Sequence, residues 1–157
     1  MKDSIYLFDW GDTLMVDFPG VPGKMCDWNV VEAVDGARET LKFLSKHSEI
    51  YVATGAKEST ESEIRSAFER VGLAQYISCY FCRASLGMEK GSPAFLLQIL
   101  KRLTKQPDEV AMVGNSLKVD IEPALEAGIK AVWLCKNKPS STKPACRVIH
   151  SLRELCG

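Results

Sequence analysis

Short apolar runs alternate with longer amphipathic stretches along the whole chain. Ile5-Tyr6-Leu7-Phe8 is cut off by Asp9 and a tight Gly-containing turn, Trp10-Gly11-Asp12-Thr13, which predicts a buried strand delivering one carboxylate to the end of a sheet. Val16 to Asn29, rich in Pro and Gly, shows neither helical nor strand period. Its residues Phe18, Met25 and Trp28 nonetheless predict a loop that packs down or covers something. From Val34 to His47, Val34, Ala37, Leu41 and Leu44 recur at helical spacing, and Glu49 to Ala53 predicts a second strand ending at Thr54-Gly55. A charged helix over Glu58 to Val71 follows, with Ile64, Ala67, Phe68 and Val71 as its apolar stripe and Gly72 at its end.

Ile77 to Cys82 predicts the third strand, and Ser92-Pro93 opens a helix whose apolar face is Phe95, Leu96, Ile99, Leu100 and Leu103. Glu109 to Val113 predicts a fourth strand, leading through Gly114-Asn115-Ser116 into a helix that Gly128 ends, and Lys130 to Leu134 a fifth. Lys136 to Pro144 predicts an exposed loop, Arg147 to His150 a last short strand, and Leu152 to Cys156 a helical turn. Strands apolar on both faces and alternating with helices predict a three-layer α/β/α, Rossmann-like domain around a parallel sheet of about five strands. Residues 1–157 then make one domain, with 15–29 a short loop and 136–157 a tail. In such folds ligands bind beyond the carboxyl ends of the strands.

Composition adds limits. With 46% hydrophobic and 25% charged residues the chain can bury a core, and 20 basic residues balance 20 acidic ones. No global field draws nucleic acid or an anionic membrane, so an anionic ligand has to be held by local groups. No apolar run reaches the ~20 residues needed to cross a bilayer, and Met1 to Ser4 lacks a signal-peptide pattern, so a cytoplasmic protein is expected. The six cysteines are scattered, several within apolar runs, and read as reduced thiols. Cys79 and Cys82 form a C-x-x-C, but three residues apart on a strand they face opposite ways and make a poor metal pair.

The strand ends supply Asp9 with Asp12 and Thr13, then Thr54-Gly55, then a loop carrying Lys90, then Asn115-Ser116 with Asp120. Each alone has a plain structural reading: a turn aspartate, an N-cap, a solvated lysine, a first-turn acid. Together, at successive strand ends, they match phosphoryl transfer through a covalent intermediate. An aspartate attacks phosphorus, a divalent cation screens the charge, and hydroxyls, backbone N–H groups and a lysine hold the phosphoryl oxygens. Oxygen ligands without a His cluster favour magnesium.

The order of these motifs resembles the haloacid dehalogenase-like superfamily, most of whose members are magnesium-dependent phosphatases. Asp9-Trp10-Gly11-Asp12-Thr13 is similar to its first motif, D-x-D-x-T; Ile50 to Thr54 to its second; Lys90 with Gly91-Ser92-Pro93 to its third, without the usual Lys-Pro. Gly114-Asn115-Ser116 continuing to Asp120 resembles its fourth, G-D-x-x-x-x-D. The resemblance implies that Asp9 is nucleophile and magnesium ligand, with the Gly11 carbonyl, Asn115 and Asp120 completing the metal set. It also implies that Thr13, Thr54, Gly55 and Lys90 hold the phosphoryl group.

Two positions depart from the pattern. Gly11 stands where family phosphatases carry the aspartate that protonates the leaving oxygen and activates water, a group that contributes typically ~10² to 10⁴-fold. Asn115 replaces an acid. Slow hydrolysis, with Asp12 or the substrate as stand-in, and weak magnesium binding are expected, and a binding module that has lost catalysis is the alternative. The short 15–29 segment resembles the capless class, whose open sites take bulky or macromolecular phosphorylated substrates. The stretch from Phe18 to Trp28 is either a small lid or a dimer contact.

Overall fold

The computed structural model describes residues 5–136 and 146–157, so Met1 to Ser4 and most of the loop expected over Lys136 to Pro144 lie outside the described residues. Six parallel strands form one sheet in the order β3-β2-β1-β4-β5-β6. They are β1 (Ile5–Phe8), β2 (Glu49–Ala53), β3 (Cys79–Phe81), β4 (Val110–Gly114), β5 (Lys130–Leu134) and β6 (Arg147–Ile149). The sixth is the short strand expected near Arg147. The chain lays down β1, β2 and β3 toward one edge and then returns to build β4, β5 and β6 on the other side of β1. The reversal falls between β1 and β4, where the crossovers leave in opposite directions and open a crevice.

Successive residues of β1 face opposite cores. Ile5 and Leu7 pack with Phe95, Leu96 and Ile99 of α4 (Pro93–Leu103), while Phe8 packs with Leu41 of α1 (Ala37–Leu44) and Phe68 of α2 (Glu61–Arg70). Both cores are apolar, which is why the strand sequences do not alternate. A one-turn helix, α3 (Arg83–Leu86), follows β3, and α5 (Glu122–Glu126) follows β4. No helix among the described residues is long and apolar enough to cross a membrane.

Several boundaries differ from the sequence expectation, each for a local reason. The first helix begins at Ala37 instead of Val34, because Gly36 adopts φ +82° and the Val34 N–H is bonded to the Leu14 carbonyl. α2 begins at Glu61 instead of Glu58, because Thr60 and Glu63 close a reciprocal capping box at that point. The third strand is trimmed to Cys79–Phe81, and α3 after it was not expected. The helix expected after Gly114-Asn115-Ser116 and through Ala127 is two pieces. Leu117–Ile121 makes a π-helical turn, in which the Ile121 N–H reaches the Ser116 carbonyl, before α5 starts. Pro123, with no N–H to give, suits a break there. Cys79 and Cys82 do face opposite ways: Cys79 packs against the core on the α4 side, whereas Cys82 is buried in the core on the α1 and α2 side.

The segment after β1 is folded onto the domain. Residues 14–16 pair with 32–34 through Val16 N–H to Glu32 O and Val34 N–H to Leu14 O. The Arg70 guanidinium, projecting from α2, donates to the carbonyls of Cys26, Trp28 and Asn29, and Lys24 forms an ion pair with Glu63 at 2.7 Å. Phe18, Met25 and Trp28 pack with the core on that side. Replacing Arg70 with Ala should therefore free this loop while costing only about 1 to 3 kcal/mol of global stability. The expected result is amide hydrogen exchange that speeds up far more across residues 25–29 than in the strands, which follow only the global loss; unchanged loop exchange would show that its apolar packing alone holds it.

Candidate active site

The end of β1 is held rigidly while its last side chain is left at the crevice. Asp9 N–H donates to Val113 O at 2.9 Å, continuing the ladder to β4, and the Trp10 carbonyl then accepts from the N–H groups of Thr13, Leu14 and Met15. Such a tight turn needs one left-handed residue, and Asp12 takes it at φ +59°. Asp9 thus points its carboxylate past the sheet between β1 and β4, its side chain 14% exposed. Thr13, fully buried beneath it, places Oγ1 3.2 Å from Asp9 Oδ2 and 3.3 Å from Asn115 Oδ1.

Lys90, in the loop before α4, is the charge centre. Its side chain is 2% exposed, and Nζ lies 2.7 Å from Asp9 Oδ1, 2.5 Å from Asp120 Oδ1 and 2.8 Å from the Ala53 carbonyl at the end of β2. Of the ammonium's three donors, two are given to Asp9 Oδ1 and the Ala53 carbonyl, while Asp120 Oδ1 pairs with the charge without hydrogen-bond geometry. Burial works against the charge on Lys90, but the two carboxylates outweigh it and hold the ammonium above the ordinary lysine value. Burial pushes the Asp120 carboxyl up against the pull of Lys90, and Asp9 adds to the rise. A hydrogen bond from Ser116 N–H at 3.1 Å fixes Asp120 Oδ2. That carboxylate lies so close over Gly114 that a Cβ there would overlap it, so the glycine ending β4 makes the space that Asp120 fills.

Thr54, at the end of β2, is 4% exposed, and its Oγ1 accepts from Ala56 N–H at 3.1 Å, leaving the hydroxyl proton to donate. Asp9, Gly11, Thr54, Gly55, Lys90 and Asp120 all line one cavity of about 580 Å³ at the strand ends. Asp12 and Asn115 do not line it. They share a separate hollow with Trp133 and Lys136, and Asp12 Oδ1 instead accepts from the backbone N–H of Asp17.

The cavity also has residues that motif reading missed. Gly23, Lys24, Met25 and Trp28 form a wall from the 16–36 segment, Lys57 to Ser59 a second wall, and Asp17 enters beside Gly11. Burial, then the Asp12 and Asp9 carboxylates, push the Asp17 carboxyl above its ordinary value. The one sequence signal for this wall was apolar residues in a loop too rich in them to be a solvated linker.

The arrangement has relatives. A model of the haloacid dehalogenase-like hydrolases matches residues 23–128, more than half of the chain. The chain belongs to the haloacid dehalogenase-like hydrolase family. It is similar to a ribulose-1,5-bisphosphate 5-phosphatase of Halopiger xanaduensis, 29% identical over 99 residues, covering 63% of this chain and 41% of the relative. It is also similar to human N-acylneuraminate-9-phosphatase, 28% identical over 104 residues, covering 66% of this chain and 41% of the relative. The matched region is thus about two-fifths of the length of these curated relatives. An uncharacterized protein from Listeria monocytogenes shares the fold, with a TM-score of 0.81 at 22% identity, covering 96% of this chain and 93% of that one.

As a haloacid dehalogenase-like hydrolase the chain brings Asp9 and Thr54 from the ends of β1 and β2, Lys90 from the loop before α4 and Asp120 from the turn after β4 into one cavity, while Asp12 and Asn115 turn to its far side. Lys90 holds the other three segments together. Replacing it with Met leaves two carboxylates facing each other in a nearly dry setting, at an expected cost of about 3 to 5 kcal/mol. Urea denaturation in chelator-treated buffer measures this; a loss below about 1 kcal/mol would mean the trio behaves like a surface ion pair.

Proposed function

We propose that this domain is a magnesium-dependent phosphatase that acts through an aspartyl-phosphate on Asp9. What carries the reading is the Lys90 ammonium between Asp9 and Asp120 at the reversal of strand order, facing an open cavity. The family membership and the phosphatase names of the relatives support it. In this reading Asp9 attacks phosphorus, and Thr54 donates its free hydroxyl proton to a phosphoryl oxygen beside the backbone of Gly55. Lys90 keeps Asp120 and Ala53 O and passes one donor from Asp9 Oδ1 to the phosphoryl group as the charge on Asp9 moves into the new bond. Thr13 holds Asp9 Oδ2 from beneath.

The donor set suits magnesium. Thr13 Oγ1 lies between Asp9 Oδ2 and Asn115 Oδ1 but has one proton to give, so one of these two oxygens is left short of a donor. Asp9, the Gly11 carbonyl and Asp120 line the cavity as hard oxygen donors, while the Asn115 amide faces the neighbouring hollow and would have to turn to join them, so the set is weakly charged. A bound magnesium would neutralise charge as phosphate approaches Asp9. The 15–29 loop stands in place of a cap, and the cavity stays open to substrates with bulk beyond the phosphate.

A second reading, a binding module without turnover, has Gly11 and Asn115 in its favour. Hydrolysis of para-nitrophenyl phosphate in magnesium separates the two. The expected outcome is turnover that falls at least about 10³-fold in Asp9→Asn, together with an acyl-phosphate mimic formed on Asp9 by beryllium fluoride. Absence of both in the wild-type chain would establish the binding module.

A further inference from the structure

The missing carboxylate at residue 11 is replaced in space by another. Gly11 has no positive φ, so its backbone does not demand glycine. What a side chain there would meet is Asp17: a Cβ on residue 11 would lie 3.4 Å from Asp17 Cβ and 3.4 Å from Asp17 Oδ2. Asp17 therefore occupies the room that a residue-11 side chain would enter, and it lines the same cavity as Asp9 and Lys90.

The position is built. Asp12 Oδ1 accepts from the Asp17 backbone N–H at 3.0 Å, and the preceding Val16 N–H is bonded to Glu32 O at 2.8 Å. The left-handed turn at Asp12 aims that carboxylate away from the cavity and back at the chain it anchors. Asp12 is thus a positioning residue for Asp17.

We infer that Asp17 is the general acid and base of this site, supplying from six residues downstream the carboxylate that Gly11 lacks. The inference rests on the phosphatase reading. In the first half-reaction an Asp9 oxygen forms a bond to phosphorus and the bond from phosphorus to the leaving oxygen breaks. The electron pair goes to the leaving oxygen, which takes the proton of the Asp17 carboxylic acid. In the second, the Asp17 carboxylate takes a proton from water as the water oxygen bonds to phosphorus. The bond from phosphorus to Asp9 breaks with its electron pair returning to Asp9. Inorganic phosphate leaves and Asp17 is protonated as at the start.

The test uses the full chain in magnesium with para-nitrophenyl phosphate and phenyl phosphate, which differ in how much their leaving groups need a proton. Asp17→Asn is expected to lower turnover about 10² to 10⁴-fold, more severely on phenyl phosphate. With para-nitrophenyl phosphate it should still release a burst of one nitrophenol per site, leaving phosphate trapped on Asp9, because formation of the intermediate survives and its hydrolysis does not. Adding Gly11→Asp to Asp17→Ala should recover at least about tenfold, since the new side chain enters the vacated room. Turnover of Asp17→Asn within about threefold of wild type would overturn the assignment. So would loss of the burst together with turnover, or a double variant no better than Asp17→Ala. If wild type turns over and Asp9→Asn does not while Asp17→Asn matches wild type, Asp17 alone is discarded. No turnover and no burst in wild type discards the phosphatase reading and Asp17 with it.

Discussion

One buried ammonium ties the functional end of this domain together. Lys90 stands between Asp9 from β1 and Asp120 from the turn after β4, with the last carbonyl of β2 accepting a hydrogen bond from it. Taking a lysine and two carboxylates out of water is costly, and only close pairing with satisfied donors offsets it. The three strand ends must therefore stop at one level, and the glycine at 114 must stay bare for Asp120 to reach in. With both carboxylates ionised, the trio carries one net negative charge beside an open cavity.

Much of this was legible along the chain. Apolar runs ending in Asp9, Thr54 and Gly114 located the strand ends, and a parallel sheet sends its strand ends to one edge, so convergence followed from fold class. What could not be read was direction. Asp12 is as acidic as Asp9, but one left-handed residue in a tight turn sends its carboxylate to the other side. Asn115 sits beside the motif glycine, but it turns toward the hollow that holds Asp12 and is linked to Asp9 through the Thr13 hydroxyl. The helix starts missed at Val34 and Glu58 and the break missed before α5 all turn on single local events: a left-handed Gly36, a capping box at Thr60, and a proline at 123.

The 16–36 segment was the least legible part, because its structure depends on partners far along the chain. Its period was neither helical nor extended, and its order comes from backbone pairing to itself and from α2. Asp17 belongs to this class: nothing in its immediate neighbours distinguishes it from a solvated loop acid. Its role emerges only where the backbone brings it against Gly11.

The way Arg70 holds that segment has a consequence for how the domain can diversify. The guanidinium grips main-chain carbonyls at residues 26, 28 and 29 and no side chain there. The tether is therefore indifferent to which residues occupy these positions, so an exposed one such as Asn29 can be exchanged while the wall stays docked on α2, whereas buried Trp28 is also held by its packing. Asp9, Lys90 and Asp120 hang from the sheet and do not share this anchor. The exposed positions of the wall can therefore vary without moving Asp9, Lys90 or Asp120, whereas Asp17 is carried by the wall's own segment and moves with it.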